Sequence, residues 1–486
     1  MNDSFIHLFT TPGGYYLYDV NRNGILSLSQ EQYEMINNQQ KGIEANVDSQ
    51  NFSKETLESI ENLFKKGFLS SKRPKEMYNP INDTLINHLN SKIKMITLQI
   101  TRQCNLRCKY CVYSGAYENR EHENTKMSFE TAKKGIDFLI EHSKDNEKIF
   151  LAFYGGEPLI EFEFIKKCVE YYEEKTEGKE IRITLTSNAT LLNEDIIEYF
   201  KMHSVYLVIS LDGPSKIHNK NRVFSDKENG TFEKVMEKVQ IIKNKFPEYL
   251  DKCVSFNAVL DPENDFSCVN DFFADFESVK ESNLMASEIT SYYKKDSNMV
   301  SNSYISQLKY EYFKLFLSKL GHLDKKHTSK LVWRQYNHIK DSYNRLELMS
   351  ELPDKIHHGG PCIPGAQRLF MDANGNFYPC ERVSETSSQM RIGNVETGFD
   401  VEKIRSLLNI GKISEKKCCN CWALKFCSLC AAAADEQNNL SLKKKVSYCE
   451  SVRNSAENLL KDTCTLKEFG DELKRINNFE TIEWKI

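Results

Sequence analysis

The chain has 486 residues, of which 40% are hydrophobic and 28% are charged, and its formal net charge is −4. This composition is ordinary for a soluble protein of several domains, and the slight acidity gives no reason to expect binding to nucleic acid. The chain has no run of about 18 apolar residues and no signal peptide at its N-terminus, so we expect a cytoplasmic protein without a membrane partner. Fifteen cysteines are many, and most of them cluster, which in a reducing compartment indicates metal sites rather than disulfides.

Residues 1–80 are predicted to form a small module of strands followed by helices. Short apolar or alternating runs, separated by turn residues, indicate strands at 5–9, 15–20 and 25–28. Ser29 starts one predicted helix, and Ser53 is the N-cap of a second, which ends at Gly67. Residues 70–83 contain two prolines among mostly polar residues and are interpreted as a linker.

From residue 92 onward, strands and helices alternate, which favours an α/β fold with parallel strands and crossover helices. The predicted strands lie at 92–101, 149–154, 181–187, 206–211, 254–260 and 284–289. The predicted helices lie at 128–142, 160–175, 193–202, 231–245 and 266–277. In α/β barrels the active site lies at the C-terminal ends of the strands, so motifs at these ends are candidates for function.

The loop after the first of these strands carries Cys104, Cys108 and Cys111 in the spacing C-x3-C-x2-C. Three thiols this close cannot all pair as disulfides, and a closed zinc site needs a fourth ligand that no nearby Cys or His supplies. Three thiolates on a four-iron cluster leave one iron free to hold a small chelating molecule. Tyr110, just before the last Cys, would shield such a cluster. A zinc loop and a buried cysteine cluster are the alternatives.

This loop resembles that of the radical S-adenosyl-L-methionine (radical SAM) enzymes, in which SAM chelates the open iron and is cleaved to a 5′-deoxyadenosyl radical. The resemblance implies a partial (β/α)6 barrel over 92–300 and a 4Fe-4S cluster on the three cysteines. It also implies cofactor-binding residues at the strand ends, namely Tyr110, Gly155, Gly156, Glu157, Ser187, Asn188, Ser210 and Arg222. Ala189 stands where the family usually has Gly, Asp212 is either functional or a turn residue, and His218 is interpreted as a helix-surface residue.

A second group of cysteines begins at Cys362, with the spacing C-x12-G-x4-C followed by C-x2-C-x5-C-x2-C and one more Cys. It resembles the SPASM domain, a module of radical SAM peptide-modifying enzymes that holds two auxiliary clusters, and we expect it at 356–450. The resemblance implies one auxiliary 4Fe-4S cluster on Cys362, Cys380 and Cys430 and a second on Cys418, Cys421, Cys427 and Cys449. A zinc ribbon is the alternative for this region.

The first auxiliary set lacks a fourth thiol, so its cluster would keep an open iron that could bind a substrate thiolate. His357 or His358 could fill that position instead, and Cys419 could substitute as a ligand in the second set. The other cysteines, Cys168, Cys253, Cys268 and Cys464, are interpreted as structural.

The remaining segments carry no chemical motif. Residues 301–355 are predicted to be a helical linker with four packing residues, Tyr310, Phe313, Leu315 and Phe316. Residues 451–486 are predicted to be a C-terminal helix and tail.

The module at 1–80 resembles the winged-helix-like peptide-recognition module that precedes many radical SAM peptide maturases and binds a leader peptide as an added strand. The whole layout is similar to thioether-forming (ranthipeptide or sactipeptide) maturases. It implies a precursor peptide as partner and an external electron donor such as flavodoxin or ferredoxin. The cofactors it implies are SAM and three 4Fe-4S clusters.

Three alternatives remain open. The first is an anaerobic sulfatase maturase that forms formylglycine; in that family an Asp commonly follows the cysteine matched by Cys380, and here it is Glu381, the candidate catalytic proton acceptor. The second is a radical SAM enzyme that cross-links peptide carbons or epimerises residues. The third is a non-catalytic protein that kept its clusters.

Overall fold

A computed structural model describes residues 3–41, 52–118, 120–176, 178–226, 229–289, 292–296, 299–360 and 362–470. The strands are Ile6–Thr10 (β1), Tyr15–Asp19 (β2), Gly24–Leu28 (β3), Glu76–Met77 (β4), Met95–Thr101 (β5), Lys148–Gly155 (β6), Glu180–Ser187 (β7), Tyr206–Ser210 (β8), Val254–Leu260 (β9), Asn283–Glu288 (β10), Lys355–Ile356 (β11), Leu369–Met371 (β12), Asn376–Tyr378 (β13), Gly393–Asn394 (β14) and Gly398–Phe399 (β15).

The helices are Gln30–Gln40 (α1), Lys54–Lys65 (α2), Leu85–Ser91 (α3), Phe129–Glu141 (α4), Phe162–Lys175 (α5), Glu194–Met202 (α6), Ser215–Asn221 (α7), Phe232–Lys245 (α8), Pro247–Cys253 (α9), Phe266–Asp275 (α10), Asn302–Lys319 (α11), Trp333–Asn344 (α12), Val401–Leu408 (α13), Glu415–Cys418 (α14), Leu442–Ser447 (α15) and Cys449–Glu468 (α16). Within the part of the chain that the structure describes, none of these helices is long and apolar enough to cross a membrane.

The N-terminal module is a three-stranded antiparallel sheet in the order β1–β2–β3, with α1 and α2 packed on it around a shared apolar core. The predicted helix starts are confirmed. The hydroxyl of Ser29 accepts from the N–H of Gln32, whose side chain accepts from the N–H of Ser29, so the two form a capping box. Ser53 caps α2, and Gly67, with φ of +81°, ends it as predicted.

The linker prediction for 70–83 is wrong in part, because this segment is held against the body of the protein. Strand β4 pairs in parallel with β11, and the N–H groups of Lys75 and Glu76 donate to the carbonyl oxygen of Asp354. The residue before a proline favours an extended conformation, and the backbone N–H groups of such a segment can donate hydrogen bonds to a neighbouring strand. The module also contacts the cysteine-rich C-terminal region, since the ring of His7 stacks on Trp422 with centroids 3.6 Å apart.

Strands β5 to β10 are parallel and lie in sequence order, so the predicted α/β arrangement is confirmed. The sheet does not stop at β5, however. Strand β12 adds to its free edge in parallel, and β13, β14 and β15 extend the sheet to ten strands. Backbone hydrogen bonds therefore join the cysteine-rich region to the barrel. Strand β12 has only three residues, which is too short for a sequence pattern to predict this pairing.

The predicted packing roles in 301–355 hold for only part of the set. Leu315 is buried and Phe316 is partly buried, whereas Tyr310 is 61% and Phe313 58% exposed on α11. Two cysteines interpreted as structural, Cys168 and Cys464, are buried in apolar clusters and Cys253 packs partly against one, but Cys268 is exposed on α10, so the structural interpretation is wrong for it.

Candidate active site

Cys104, Cys108 and Cys111 lie on one loop between β5 and α4. The pKa of both Cys104 and Cys108 is raised to about 12, chiefly by burial and in part by the neighbouring thiol of Cys111. The N–H of Leu106 donates to the Sγ of Cys104 at 3.3 Å, and the N–H of Tyr113 donates to the Sγ of Cys111 at 3.4 Å. Amide donors aimed at sulfur stabilise thiolates that carry negative charge.

This cysteine loop fits an iron–sulfur cluster better than a single metal ion. All fifteen cysteines of the chain are unpaired. Among the described residues, no three Cys, His, Asp or Glu side chains converge as they would around one ion. A 4Fe-4S cluster binds each thiolate through a different iron, so its ligands need not converge on one point. Buried thiols become metal-bound thiolates when the metal displaces their protons.

Tyr110 and Arg222 meet at a buried carboxylate beside the cysteine loop. The Tyr110 hydroxyl donates to Asp212 Oδ2 at 2.5 Å, and Arg222 Nε lies 3.0 Å from the same oxygen. The other oxygen of Asp212 accepts from the N–H of Val259. Burial raises the pKa of Cys108, and the charge of Arg222 opposes this, so the guanidinium lies near the thiol. Asp212 therefore orients Tyr110 and Arg222 and is more than a turn residue.

The interpretation of His218 as a helix-surface residue is wrong, because its side chain is fully buried. One ring nitrogen accepts from the N–H of Asp212 at 3.3 Å, and the other lies 2.9 Å from Thr231 Oγ1. Burial lowers the pKa of His218 to about 4, so the ring is neutral at pH 7. It supports the loop that carries Asp212, and the polar sequence of α7 gave no sign of this inward face.

The Gly-Gly pair after β6 lies directly against the backbone of the cysteine loop. Gly155 has φ of +141°, and a Cβ there would overlap the carbonyl oxygen of Thr101. A Cβ on Gly156 would overlap the carbonyl oxygen of Gln103. The Gly156 N–H donates to the carbonyl oxygen of Thr101 at 2.9 Å. The two glycines therefore allow the loop after β6 to contact the backbone of the cysteine loop directly.

Glu157 is a buried anchor between strand ends. One carboxylate oxygen accepts from the Ser187 hydroxyl at 2.8 Å and the Leu159 N–H at 3.0 Å, and the other accepts from the Asn188 N–H at 2.8 Å. Burial raises the pKa of Glu157, although these donors oppose the shift. The carboxylate fixes the turn after β7 relative to the loop after β6.

The turn after β7 also contacts the cysteine loop. The Asn188 amide donates to Asn105 Oδ1 at 2.9 Å and lies 3.9 Å from Cys104 Sγ. Ala189 has φ of +63°, a left-handed conformation that favours glycine, which explains why Gly is expected at this position. Ser187 and Asn188 thus hold the wall of the site in place.

Ser210 is the last residue of β8 and is buried opposite Asn257 of β9. The Asn257 side chain accepts from the Ser287 hydroxyl at 2.8 Å. The structure therefore places all the sequence-predicted barrel residues at one end of the parallel sheet.

The structure brings Cys362, Cys380 and Cys430 together. Burial raises the pKa of Cys380 to about 12, and the thiols of Cys430 and Cys362 contribute to the rise. The pKa of Cys362 is likewise raised by burial and by Cys430. Cys362 is nevertheless exposed, so this set faces solvent on one side.

The second predicted set also lies together. Burial raises the pKa of Cys421, and the thiols of Cys418 and Cys449 raise it further. Burial raises the pKa of Cys427 to about 11, with contributions from the thiols of Cys418 and Cys421. Cys419 instead packs in an apolar cluster with Met77 and Leu424, so its predicted substitution as a ligand is not supported.

The two histidines lie near the second set. His357 Nε2 accepts from the N–H of Gly411 at 2.8 Å, and its Nδ1 lies 3.1 Å from the carbonyl oxygen of His358. His358 is buried beside the backbone of Cys427. The Gly411 contact occupies His357 Nε2, whereas neither ring nitrogen of His358 has a hydrogen-bond partner among the described residues, so completion of the first set by His358 stays a prediction.

Glu381 follows Cys380 and is largely buried, with a side-chain exposure of 19%. Its Oε1 lies 2.7 Å from Arg368 Nη1, whereas its buried Oε2 has no hydrogen-bond partner among the described residues. Burial raises the pKa of Tyr154, at the end of β6, and the charge of Glu381 contributes. The carboxylate therefore lies near the C-terminal end of the barrel strands.

Sequence reasoning missed a buried charge network that joins the two halves of the site. Glu385 is 1% exposed and lies 2.9 Å from Arg102 Nη2 and 2.8 Å from Arg120 Nε. Arg120 also donates to the carbonyl oxygens of Glu381 and Val383. The network connects the cysteine loop of the barrel to the segment that follows Cys380, and no motif marks it.

Comparison with known proteins supports the assignment of the barrel. Residues 98–273 match the Radical SAM superfamily. The radical SAM cyclopropyl synthase TigE of Paramaledivibacter caminithermalis is 26% identical over 403 residues, which cover 78% of this chain and 77% of the relative. A cysteine-type anaerobic sulfatase-maturating enzyme of Clostridium novyi is 32% identical over 162 residues, which cover 32% of this chain and 42% of that enzyme.

A solved structure, native anSMEcpe with bound AdoMet, has a TM-score of 0.56 at 20% identity and covers 76% of this chain and 99% of its own. The same protein with bound AdoMet and the Cp18Cys peptide has a TM-score of 0.53. These likenesses show the α/β fold. Together with the cysteine loop and the matched segment, they lead to one conclusion: this chain contains a radical SAM domain.

Proposed function

We propose that the protein is a maturase that links a cysteine of a ribosomally synthesised precursor peptide to a carbon through a thioether. One observation carries the proposal. The first auxiliary set has three thiols, Cys362, Cys380 and Cys430, and Cys362 faces solvent. A cluster on three thiolates keeps one iron that a substrate thiolate can approach from this side.

The residues present fit SAM and three 4Fe-4S clusters. The barrel cysteines Cys104, Cys108 and Cys111 would hold the first cluster, and the two auxiliary sets would hold the others. When bound, these groups supply a 5′-deoxyadenosyl radical that abstracts hydrogen from the peptide and an acceptor for the remaining electron. The protein's own task is to hold the peptide and to receive the proton of its thiol.

Glu381 is the proposed proton acceptor. Its Oε2 is buried and unpartnered among the described residues, while Arg368 Nη1 lies 2.7 Å from the other oxygen. Glu381 follows Cys380 directly in the chain, and its charge contributes to the raised pKa of Tyr154 at the C-terminal end of β6. A thiol that approaches the first auxiliary set would therefore come close to a free carboxylate oxygen.

The N-terminal module is the proposed leader-binding site. Strands β1 and β3 are the outer strands of its sheet, and each has one edge that pairs with no strand of the described chain. An extended peptide can add to such an edge through backbone hydrogen bonds. Tyr16 donates to Glu468 at 2.6 Å, so the sheet is fixed to α16. A leader bound there would have a defined position relative to the barrel.

An external donor such as flavodoxin or ferredoxin is the proposed electron source. A cleft of about 330 Å³ opens to solvent beside Cys104 and is lined by Gln103, Arg107 and His122. The barrel cluster would thus have one side from which a reductant can approach it.

Two other reactions have specific support. Carbon–carbon bond formation is favoured by the TigE relative, which aligns with 78% of this chain and is named a cyclopropyl synthase. Formylglycine formation is favoured by the sulfatase-maturating relatives, which align over shorter segments. The thiol environment of the first auxiliary set favours the thioether reaction over both.

Mass spectrometry of a modified peptide separates the three reactions. The reconstituted enzyme is incubated anaerobically with SAM, a reductant and the Cys-containing peptide encoded beside its gene. A thioether removes two hydrogens and blocks alkylation of the cysteine by iodoacetamide. A carbon–carbon link removes two hydrogens but leaves the thiol alkylatable, and formylglycine is labelled by a hydrazide. An alkylatable thiol in the product rejects the thioether proposal.

Two variants serve as controls in the same assay. Replacing Cys104, Cys108 and Cys111 with Ala should lower the iron content from about twelve to about eight per chain and abolish SAM cleavage. Glu381→Gln should keep SAM cleavage and iron content but lower the yield of thioether at least tenfold. Full thioether yield in Glu381→Gln contradicts the role of this carboxylate.

A further inference from the structure

Lys445 is an unusual residue because its side chain is almost completely buried, with 1% exposure. It lies on α15, and its Nζ donates to the Ser414 hydroxyl at 2.7 Å and lies 3.7 Å from Cys418 Sγ. Among the described residues, no carboxylate lies within ion-pair distance of its ammonium group. Lysines are almost never fully buried unless an opposite charge compensates them.

Among the described neighbours of Lys445, the groups that can carry negative charge are thiols. Burial lowers the pKa of His357 to about 4 and of His358 to about 2, and the charge of Lys445 adds to both shifts. Both rings are therefore neutral at pH 7. The remaining neighbours that can become anionic are the thiols of the second auxiliary set, and Cys418 is in direct contact with the ammonium.

A second cation lies near another thiol of this set. The charge of Arg453 opposes the rise that burial causes in the pKa of Cys421, so its guanidinium lies near that thiol. Arg453 is on α16, one turn after Cys449. A 4Fe-4S cluster on four thiolates is dianionic in its oxidised state and gains one more negative charge on reduction. Two nearby cations match that charge.

We propose that Lys445 is the buried counter-charge of the cluster held by Cys418, Cys421, Cys427 and Cys449, and that it raises the reduction potential of this cluster. A fixed cation in a water-free site stabilises the reduced, more negative state more than the oxidised one. The inference rests on the proposed function, because it requires that this set holds a redox-active cluster. It gives Lys445 a positioning and tuning role, without contact to substrate.

The test compares Lys445→Met, Lys445→Arg and a matched control, Lys443→Met. Lys443 is exposed, lies two residues away on the opposite side of the same short helix and has the same formal charge. Each change is made in the full chain in which Cys104, Cys108 and Cys111 are replaced by Ala, so that only auxiliary clusters contribute. The readouts are iron content and reduction midpoints from electron paramagnetic resonance during potentiometric titration. The first auxiliary cluster is the internal reference.

Lys445→Met should make the reduction midpoint of one of the two auxiliary clusters more negative by about 59 mV. This shift equals a tenfold change in the equilibrium constant for one-electron reduction. Lys445→Arg and Lys443→Met should leave both midpoints in place. An unchanged midpoint in Lys445→Met with normal iron content overturns the proposal and leaves the proposed function intact. If Lys445→Met loses about four irons and Lys445→Arg keeps them, the result supports Lys445 as the counter-charge. If both variants lose about four irons, the proposal is overturned. A parent protein without reducible auxiliary clusters rejects the proposed function and this inference together.

Discussion

The buried network around Glu385 predicts that a single neutral substitution will strongly destabilise the protein. Both carboxylate oxygens are used, since Oε1 lies 2.8 Å from Arg120 Nε and Oε2 lies 2.9 Å from Arg102 Nη2. Gln99 donates to both oxygens at 2.9 Å. Arg120 is 2% exposed, so loss of the negative charge leaves a buried guanidinium that water cannot reach.

Glu385→Gln keeps the size of the side chain and removes only its charge. Breaking a buried ion pair by removing one partner costs about 3–5 kcal/mol, because the other charge remains buried and uncompensated. The same chain offers a matched control. Glu123 pairs with the other end of Arg102 at 2.8 Å but is 52% exposed, so Glu123→Gln should cost less than about 1 kcal/mol.

Urea denaturation under anaerobic conditions, followed by circular dichroism, gives the two free energies of unfolding at pH 7. We expect Glu385→Gln to unfold at a clearly lower urea concentration than Glu123→Gln and the wild type. Equal midpoints for the two variants would show that the buried carboxylate contributes no more than an exposed one, which refutes the reasoning. Iron content, measured on the same samples, reports whether the cysteine loop loses its cluster.

Two further substitutions test other parts of the fold. Ala189 has φ of +63°, so Ala189→Gly should raise the free energy of unfolding by about 0.5–1 kcal/mol in the same titration, and a decrease contradicts this. Burial raises the pKa of Asp462 from 3.8 to about 6, so the folded state binds this proton more tightly and loses stability as the pH rises from about 4 to about 6. Asp462→Asn should therefore be more stable than the wild type by about 2–3 kcal/mol at pH 7 and equal to it at pH 4, whereas a pH-independent difference refutes the shift.

The features that the sequence predicted are those that depend on short segments. The spacing of Cys104, Cys108 and Cys111 identifies a cluster loop because all three ligands lie within eight residues. The strand bounds of the barrel agree with the predictions because buried parallel strands are continuous apolar runs. The caps of α1 and α2 were predicted because each depends on a hydroxyl and a backbone N–H three residues apart.

The features that were missed depend on partners far apart in the chain. The Arg102–Glu385 pair joins residues separated by 283 positions, and neither residue stands in a motif. His218 is interpreted from the sequence as a surface residue, whereas packing against Thr231 and Asp212 buries its ring. Lys445 is the last of three consecutive lysines in the sequence, and only the fold shows that its side chain is buried.

The same distant contacts hold the two cysteine-rich regions at a fixed spacing. Strand β12 pairs with β5, and the loop that follows β5 carries the barrel cysteines. Arg120 and Glu385 then join that loop to the segment after Cys380. Because the contacts are backbone pairs and buried charges, the barrel site and the first auxiliary set form one unit whose spacing cannot change without breaking them. The proposed substrate would therefore meet two cysteine sets whose relative position is already fixed before it binds.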